Sequence, residues 1–142
     1  MYQKTTLDNG LRILSESIPY MSSVSIGFFV GTGSRSETLP EQGVSHFIEH
    51  LMFKGTEKRS ARDIAEEVDD VGGQLNAATD RENTCYYIKV LPEHLGLGLD
   101  ILSDMLLHSK FADSDVEKER QVVLEEISLY EDSPDELIHD LH

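Results

Sequence analysis

The sequence predicts an α+β fold, a mostly antiparallel sheet with helices packed on one face. Three observations carry that expectation. Strand-like runs come in groups joined by short turns. Apolar residues recur at helical spacing in the segments between and after them. The order that results is strands, helix, helix, strands, helix, helix.

The first two runs, "YQKTTL" and "LRILSES", flank Asp8-Asn9-Gly10, a tight-turn signal because Asn-Gly readily takes positive φ. After Pro19, Val24, Ile26, Phe28 and Val30 alternate with smaller residues, giving a strand that ends at the turn Gly31 to Gly33. "SRSETLPEQG" reads as a loop whose Pro40 and Glu41 suit the first turn of a helix running to about Phe53. Past the loop "KGTEKR", Ser60 and Asp63 form a capping-box-like pair opening a helix to about Val71, where Gly72 and Gly73 stop it. Strands are expected from Gln74 to Thr79 and from Thr84 to Leu91, with Asp80 to Asn83 as the turn. Pro92 opens an amphipathic helix ending near His108, with Leu95, Leu99, Leu102 and Leu106 near helical spacing. Asp113 or Ser114 begins a long acidic helix to about Tyr130, and "EDSPDE" breaks it before a last helical piece, "DELIHDLH". That piece ends in mid-helix, its Leu137, Ile138 and Leu141 without an evident completed layer, so the expectation is a fragment of a longer protein.

Composition narrows the functions. With 142 residues and 39% hydrophobic content the chain can bury one core, as a single domain. Twelve Lys and Arg against 27 Asp and Glu give a formal charge of −15, which excludes nucleic acid as the expected partner because phosphate backbones are bound by clustered cations. Eleven of the acids lie in residues 111–142, where the plain reading is a well-solvated helical surface. The one cysteine, Cys85, rules out an internal disulfide and a multi-cysteine metal site, and its place in "TCYYIKV" makes it an expected core residue. The start of the sequence has the character of neither a signal peptide nor a transit peptide, and no apolar run approaches membrane-spanning length. A cytoplasmic location without membrane attachment is the expectation.

"HFIEH", residues 46–50, carries the chemistry. On a helix His46 and His50 stand one turn apart on one face, so their rings can converge on one cation, with Glu49 in the same arc and able to reach a water there. HxxEH is the inverted form of the zinc-hydrolase motif. Such a centre generally needs a third protein ligand besides water. The acidic helix is where to look, since Val116, Val123, Ile127 and Tyr130 give it an inward stripe, with Glu126 and, seven residues earlier, Glu119 alongside. Glu125 falls on the wetter side with Lys118 and Gln121. A metal would satisfy Glu126 while Glu119 oriented a histidine or the water. A carboxylate at the edge of an amphipathic stripe can equally reach solvent, and periodicity leaves both readings open.

"HFIEHLMFKGT", "GGQLNAATDRENTCYYIKVL" and "EKERQVVLEEI", in this order, resemble the pitrilysin or insulinase family of inverted-motif zinc peptidases (M16-like), and specifically the bacterial relatives of the mitochondrial processing peptidase. The resemblance runs from about Leu7 to the last residue. It implies one zinc ion held by His46, His50 and Glu126, the last separated from His50 by the 75 residues 51–125. It also implies Glu49 as general base, Glu119 as supporting acid, and Asn76 and Ala77 on an edge strand to which an extended substrate adds as a further strand. The implied activity is that of a zinc endopeptidase or processing peptidase acting on extended or unfolded polypeptides. The alternative is a non-catalytic scaffold subunit of the same fold, against which the intact His46, Glu49, His50 and Glu126 argue. Residues 1–142 would form the N-terminal part of the catalytic domain, lacking its remainder and a homologous second half. That half would come from the same chain or from a partner subunit, a homodimer included. Alone, the piece is expected to hydrolyse peptides poorly, because positioning and water exclusion are missing. Of the other histidines, His94 and His108 sit at helix ends and His139 and His142 at the end of the sequence, none of them an expected ligand.

Overall fold

A computed structural model describes residues 2–131, so the expected last helical piece with His139 and His142 lies outside the described residues. Strands β1 (Tyr2–Thr6) and β2 (Arg12–Glu16) pair antiparallel about the Asp8-Asn9-Gly10 turn, with Tyr2 opposite Glu16 and Thr6 opposite Arg12. Asn9 Oδ1 accepts the Leu11 N–H at 3.1 Å, closing the turn from within. The hairpin forms a two-stranded sheet of its own and is exposed along its length. Lys4 lies opposite Leu14 and Thr6 opposite Arg12, so that face mixes polar and apolar groups and offers no continuous surface to bury.

The second sheet has the order β3-β5-β4, all antiparallel, from β3 (Val24–Val30), β4 (Gln74–Thr79) and β5 (Thr84–Val90). Strand β5 lies at its centre and alternates strictly: Thr84, Tyr86, Ile88 and Val90 are buried, while Cys85, Tyr87 and Lys89 point to the other face. Cys85 is therefore half-buried on the sheet's outer side, not a core residue as its apolar neighbours suggested. A run of alternating residues fixes which of them share a face but not which face the helices cover.

The helices are α1 (Val44–Met52), α2 (Ala61–Asp70), α3 (Leu95–His108) and α4 (Asp113–Glu131). Met52 of α1, Ile64 and Val68 of α2, and Ile101, Leu102 and Met105 of α3 close over Tyr86, Ile88 and Val90 to make one core. Burying such a side chain contributes roughly 1.5–3 kcal/mol. The helices thus cover one face of this sheet, and none of them is long and apolar enough to cross a membrane.

Two helices differ from the sequence reading. Helix α1 begins at Val44 instead of Pro40: Leu39–Glu41 form a separate 3-10 turn capped by Thr38, and Gly43 at φ 86° turns the chain between them. In α3 the leucine stripe misplaces the buried face. Leu95 and Leu99 are exposed, while the inward side is Gly98, Ile101, Leu102 and Met105. A glycine adds nothing to an apolar pattern, yet it is at Gly98 that α3 comes close to β5, where an added Cβ would stand 3.1 Å from Ile88 Cγ2. The Ser60–Asp63 capping box of α2 forms as expected.

The loop between α1 and α2 is tied down by charge. Thr56 Oγ1 donates to Asp104 Oδ2 at 2.6 Å, and the Arg59 guanidinium bonds Asp104 at 3.0 Å, Asp100 at 2.6 Å and Glu67 at 3.0 Å. Burial pushes the Asp104 carboxyl up, but the Thr56 and Arg59 hydrogen bonds outweigh it and hold the group below its ordinary range. Gly55 lets this loop turn: at φ 118° it lies where a Cβ would meet the Arg59 carbonyl oxygen at 2.8 Å.

Candidate metal centre

Glu37 sets the start of α1. Its Oε2 accepts the Gly43 N–H at 2.7 Å and its Oε1 the Ser45 N–H at 2.8 Å, satisfying donors that the helix itself leaves open. Burial raises the Glu37 carboxyl, and hydrogen bonds from Ser45 and Gly43 more than reverse this, so it is held low and anionic at the positive end of the helix. His46 stands in the first turn of α1, and His50 one turn further.

The two rings meet edge to face, with centroids 4.6 Å apart. His46 Nε2 and His50 Nε2 are 3.1 Å apart. Helix α4 packs against α1 and brings Glu126 Oε2 to 3.8 Å from the first nitrogen and 3.5 Å from the second. Three donors around a tetrahedral zinc with bonds of about 2.0–2.1 Å stand about 3.3 Å from one another. The observed separations bracket that value, and two imidazoles with a carboxylate are a donor set that zinc takes, so these side chains fit the ion. Among the described residues no other three His, Cys, Asp or Glu converge in this way.

Glu119 lies one step behind. Its Oε2 is 3.2 Å from His50 Nδ1 and its Oε1 is 2.6 Å from Lys54 Nζ. A carboxylate only accepts, so this contact places hydrogen on Nδ1 and leaves the His50 Nε2 lone pair facing His46 and Glu126. Burial raises the Glu119 carboxyl, and the bonds from Lys54 and His50 overcome this, holding it below its ordinary range. Of the two acids flanking the expected stripe, Glu119 is the buried one and Glu126 remains 45% exposed. The stripe itself stops early: Val123 is buried but Ile127 is exposed, since α1 is the main neighbour of α4 among the described residues, and the Tyr130 side chain lies outside what is described.

Glu49 is half-buried, and its Oε2 accepts a short hydrogen bond from Thr79 Oγ1 at the end of β4. Thr79 in turn lies 3.4 Å from Thr84 Oγ1, which donates to the Thr32 carbonyl at 3.0 Å. Burial first, and then the negative charge of Glu49, push the Tyr86 hydroxyl up to about 12, so it stays protonated beside that carboxylate. Asn76 and Ala77 lie on the same strand, β4, which is an edge of its sheet; Asn76 is exposed and its Oδ1 accepts the Ala77 N–H at 2.9 Å. The structure thus gathers His46, Glu49, His50, Glu119 and Glu126 into one cluster and runs β4 past it. His94 belongs to the 3-10 turn before α3, and His108 stands 3.2 Å from Asp104.

Sequence reasoning missed Lys54, Thr79 and Glu37. Lys54 carried a signal, because it continues the four-residue spacing of His46 and His50. Thr79 shares the two-residue phase of Ala77 on β4. Glu37 carried none, since its loop gave no helix start to attach it to.

Comparison with known proteins places the chain. A model of the insulinase family, peptidase family M16, matches residues 12–142. A protein named as an uncharacterized zinc protease, YmxG, of Bacillus subtilis is 53% identical over 141 residues, covering 99% of this chain and 34% of that protein. A similarly named zinc protease of Mycobacterium leprae is 48% identical over 138 residues, 97% of this chain and 31% of its own length. The crystal structure of a protease from Helicobacter pylori superposes with a TM-score of 0.91 at 29% identity, covering 96% of this chain and 33% of that one. The chain spans about a third of the length of these relatives.

Proposed function

The chain belongs to the insulinase family, peptidase family M16, and on that premise we propose that it forms the N-terminal part of a zinc-dependent endopeptidase domain that hydrolyses extended or unfolded polypeptides. The observation that carries the proposal is the convergence of His46, His50 and Glu126 beside a carboxylate, Glu49, that is not one of the three. The relatives' names as zinc proteases support it.

His46, His50 and Glu126 would hold the ion. Bound there, zinc supplies Lewis acidity, lowering the pKa of a water to about 7 and polarising the scissile carbonyl. Glu49 takes the water's proton and later hands it to the leaving amine. Thr79 fixes Glu49 Oε2 and so leaves the other oxygen for this exchange. Glu119 holds the His50 ring by its Nδ1. Asn76 and Ala77 offer the outer edge of β4 to the main chain of the substrate, a mode that accepts many sequences but requires an unfolded one. The rest of the domain and a homologous second half, from the same chain or a partner subunit, would enclose the peptide and exclude water.

An unstructured peptide incubated with the full-length protein should be cut internally, should cease to be cut after chelation, and should be cut again when zinc is restored. Cleavage undiminished by a chelator that has stripped the metal would refute the reading.

A further inference from the structure

We propose that Lys54 is a positioning residue for the metal centre, acting through Glu119 on His50; this rests on the zinc reading above. Lys54 Nζ, Glu119, His50 and the point faced by His46 and Glu126 form a continuous line: Nζ to Oε1 2.6 Å, Oε2 to Nδ1 3.2 Å, and Nε2 on the far side of the same ring. Glu119 is 7% exposed and has two oxygens, each with one partner in this line. Without the ammonium, one oxygen of a buried carboxylate loses its charged partner, and the group is free to rotate, which releases the imidazole N–H.

The backbone fixes where this lysine stands. The Lys54 N–H bonds the Leu51 carbonyl at 3.0 Å, the loop turns at Gly55, and Thr56 and Arg59 anchor it to Asp104 of α3. The ammonium is thus delivered from a segment that is braced independently of α4, the helix that carries Glu119. Lys54, two residues past the end of α1, therefore also ties that end to α4, and it is the approach of these two helices that brings Glu126 to the histidines.

The sign of the effect separates this role from the bland one. If Lys54 were merely a nearby cation, removing it would tighten zinc binding by relieving repulsion. As a positioning residue its loss weakens binding. Zinc affinity is to be measured on the full-length protein by competition with a chromophoric chelator, with no peptide present. Lys54→Met should lower affinity by about tenfold or more, in the range seen for partners that orient a metal-binding histidine, and Lys54→Arg should recover most of it. Glu119→Gln should lower it comparably, and the double variant should be no weaker than Glu119→Gln alone. Unchanged or tighter binding in Lys54→Met, or a lysine effect that persists in the Glu119→Gln background, would overturn the proposal while leaving the zinc reading intact. A wild-type protein that binds no zinc would overturn both.

Discussion

Glu49→Gln is expected to leave zinc in place while lowering kcat/KM for an unstructured peptide by about 10²–10⁴-fold. Glutamine has the shape of glutamate and keeps an oxygen to accept the Thr79 hydroxyl, so the local packing of α1 against β4 should survive. Glu49 is not among the donors that converge at the His46 and His50 nitrogens, so the ion has no reason to leave with the charge. What the amide cannot do is take a proton from water. Metal analysis of the purified variant, paired with mass-spectrometric detection of cleavage in the full-length protein, reads both quantities. Zinc lost along with cleavage would make Glu49 a ligand, and cleavage at the wild-type rate would remove it as the base.

Arg59→Met is expected to be the most destabilising single change in the loop that follows the histidine helix, at about 3–5 kcal/mol in urea unfolding, the usual effect of stripping one partner from a buried ion pair. Asp104 decides the magnitude, since its side chain is 1% exposed and would keep the Thr56 hydroxyl on one oxygen and the half-exposed His108 ring, 3.2 Å away, beside the other. The Arg59 bonds to Asp100 and Glu67 add little, because those carboxylates are 54% and 37% exposed and solvent can replace the guanidinium. Replacing both Arg59 and Asp104 by apolar residues of similar size should cost less than Arg59→Met alone, because no uncompensated charge remains. A loss below about 1 kcal/mol in the single variant would show that Asp104 finds other compensation.

Much of this is legible in the amino-acid sequence. Period-two runs, the Asn-Gly turn and the Ser60–Asp63 cap are local signals, and the strands β3, β4 and the start of α2 follow them closely. The histidine pair was legible for the same reason, since four-residue spacing on one helix is a local relation. What escaped was set by contacts between elements. The inward side of α3 turns on Gly98, a residue with no hydrophobic signal, and the outward placement of Cys85 depends on which face of the sheet the helices cover. For Glu119 and Glu126, periodicity sets both near one stripe and leaves the reading open, and their separate roles are what the resemblance implies; the approach of α1 puts Glu119 buried between Lys54 and His50, and Glu126 half exposed beside both histidines. The strand-edge position of Asn76 and Ala77, implied by the resemblance and by no local pattern, agrees with the sheet order, which puts β5 and not β4 at the centre.

The claim on which the rest depends is that Glu126, from α4, completes a zinc site begun by His46 and His50. Its adjacent neighbour Glu125 is exposed on the same helix, carries the same charge, and is absent from the converging donors, which makes it the natural control. Zinc content per chain, measured by mass spectrometry after dialysis against a weak chelator, should be close to one for the wild-type full-length protein and for Glu125→Ala, and should fall sharply for Glu126→Ala. Equal retention in all three, or loss with Glu125→Ala in place of Glu126→Ala, would contradict the account.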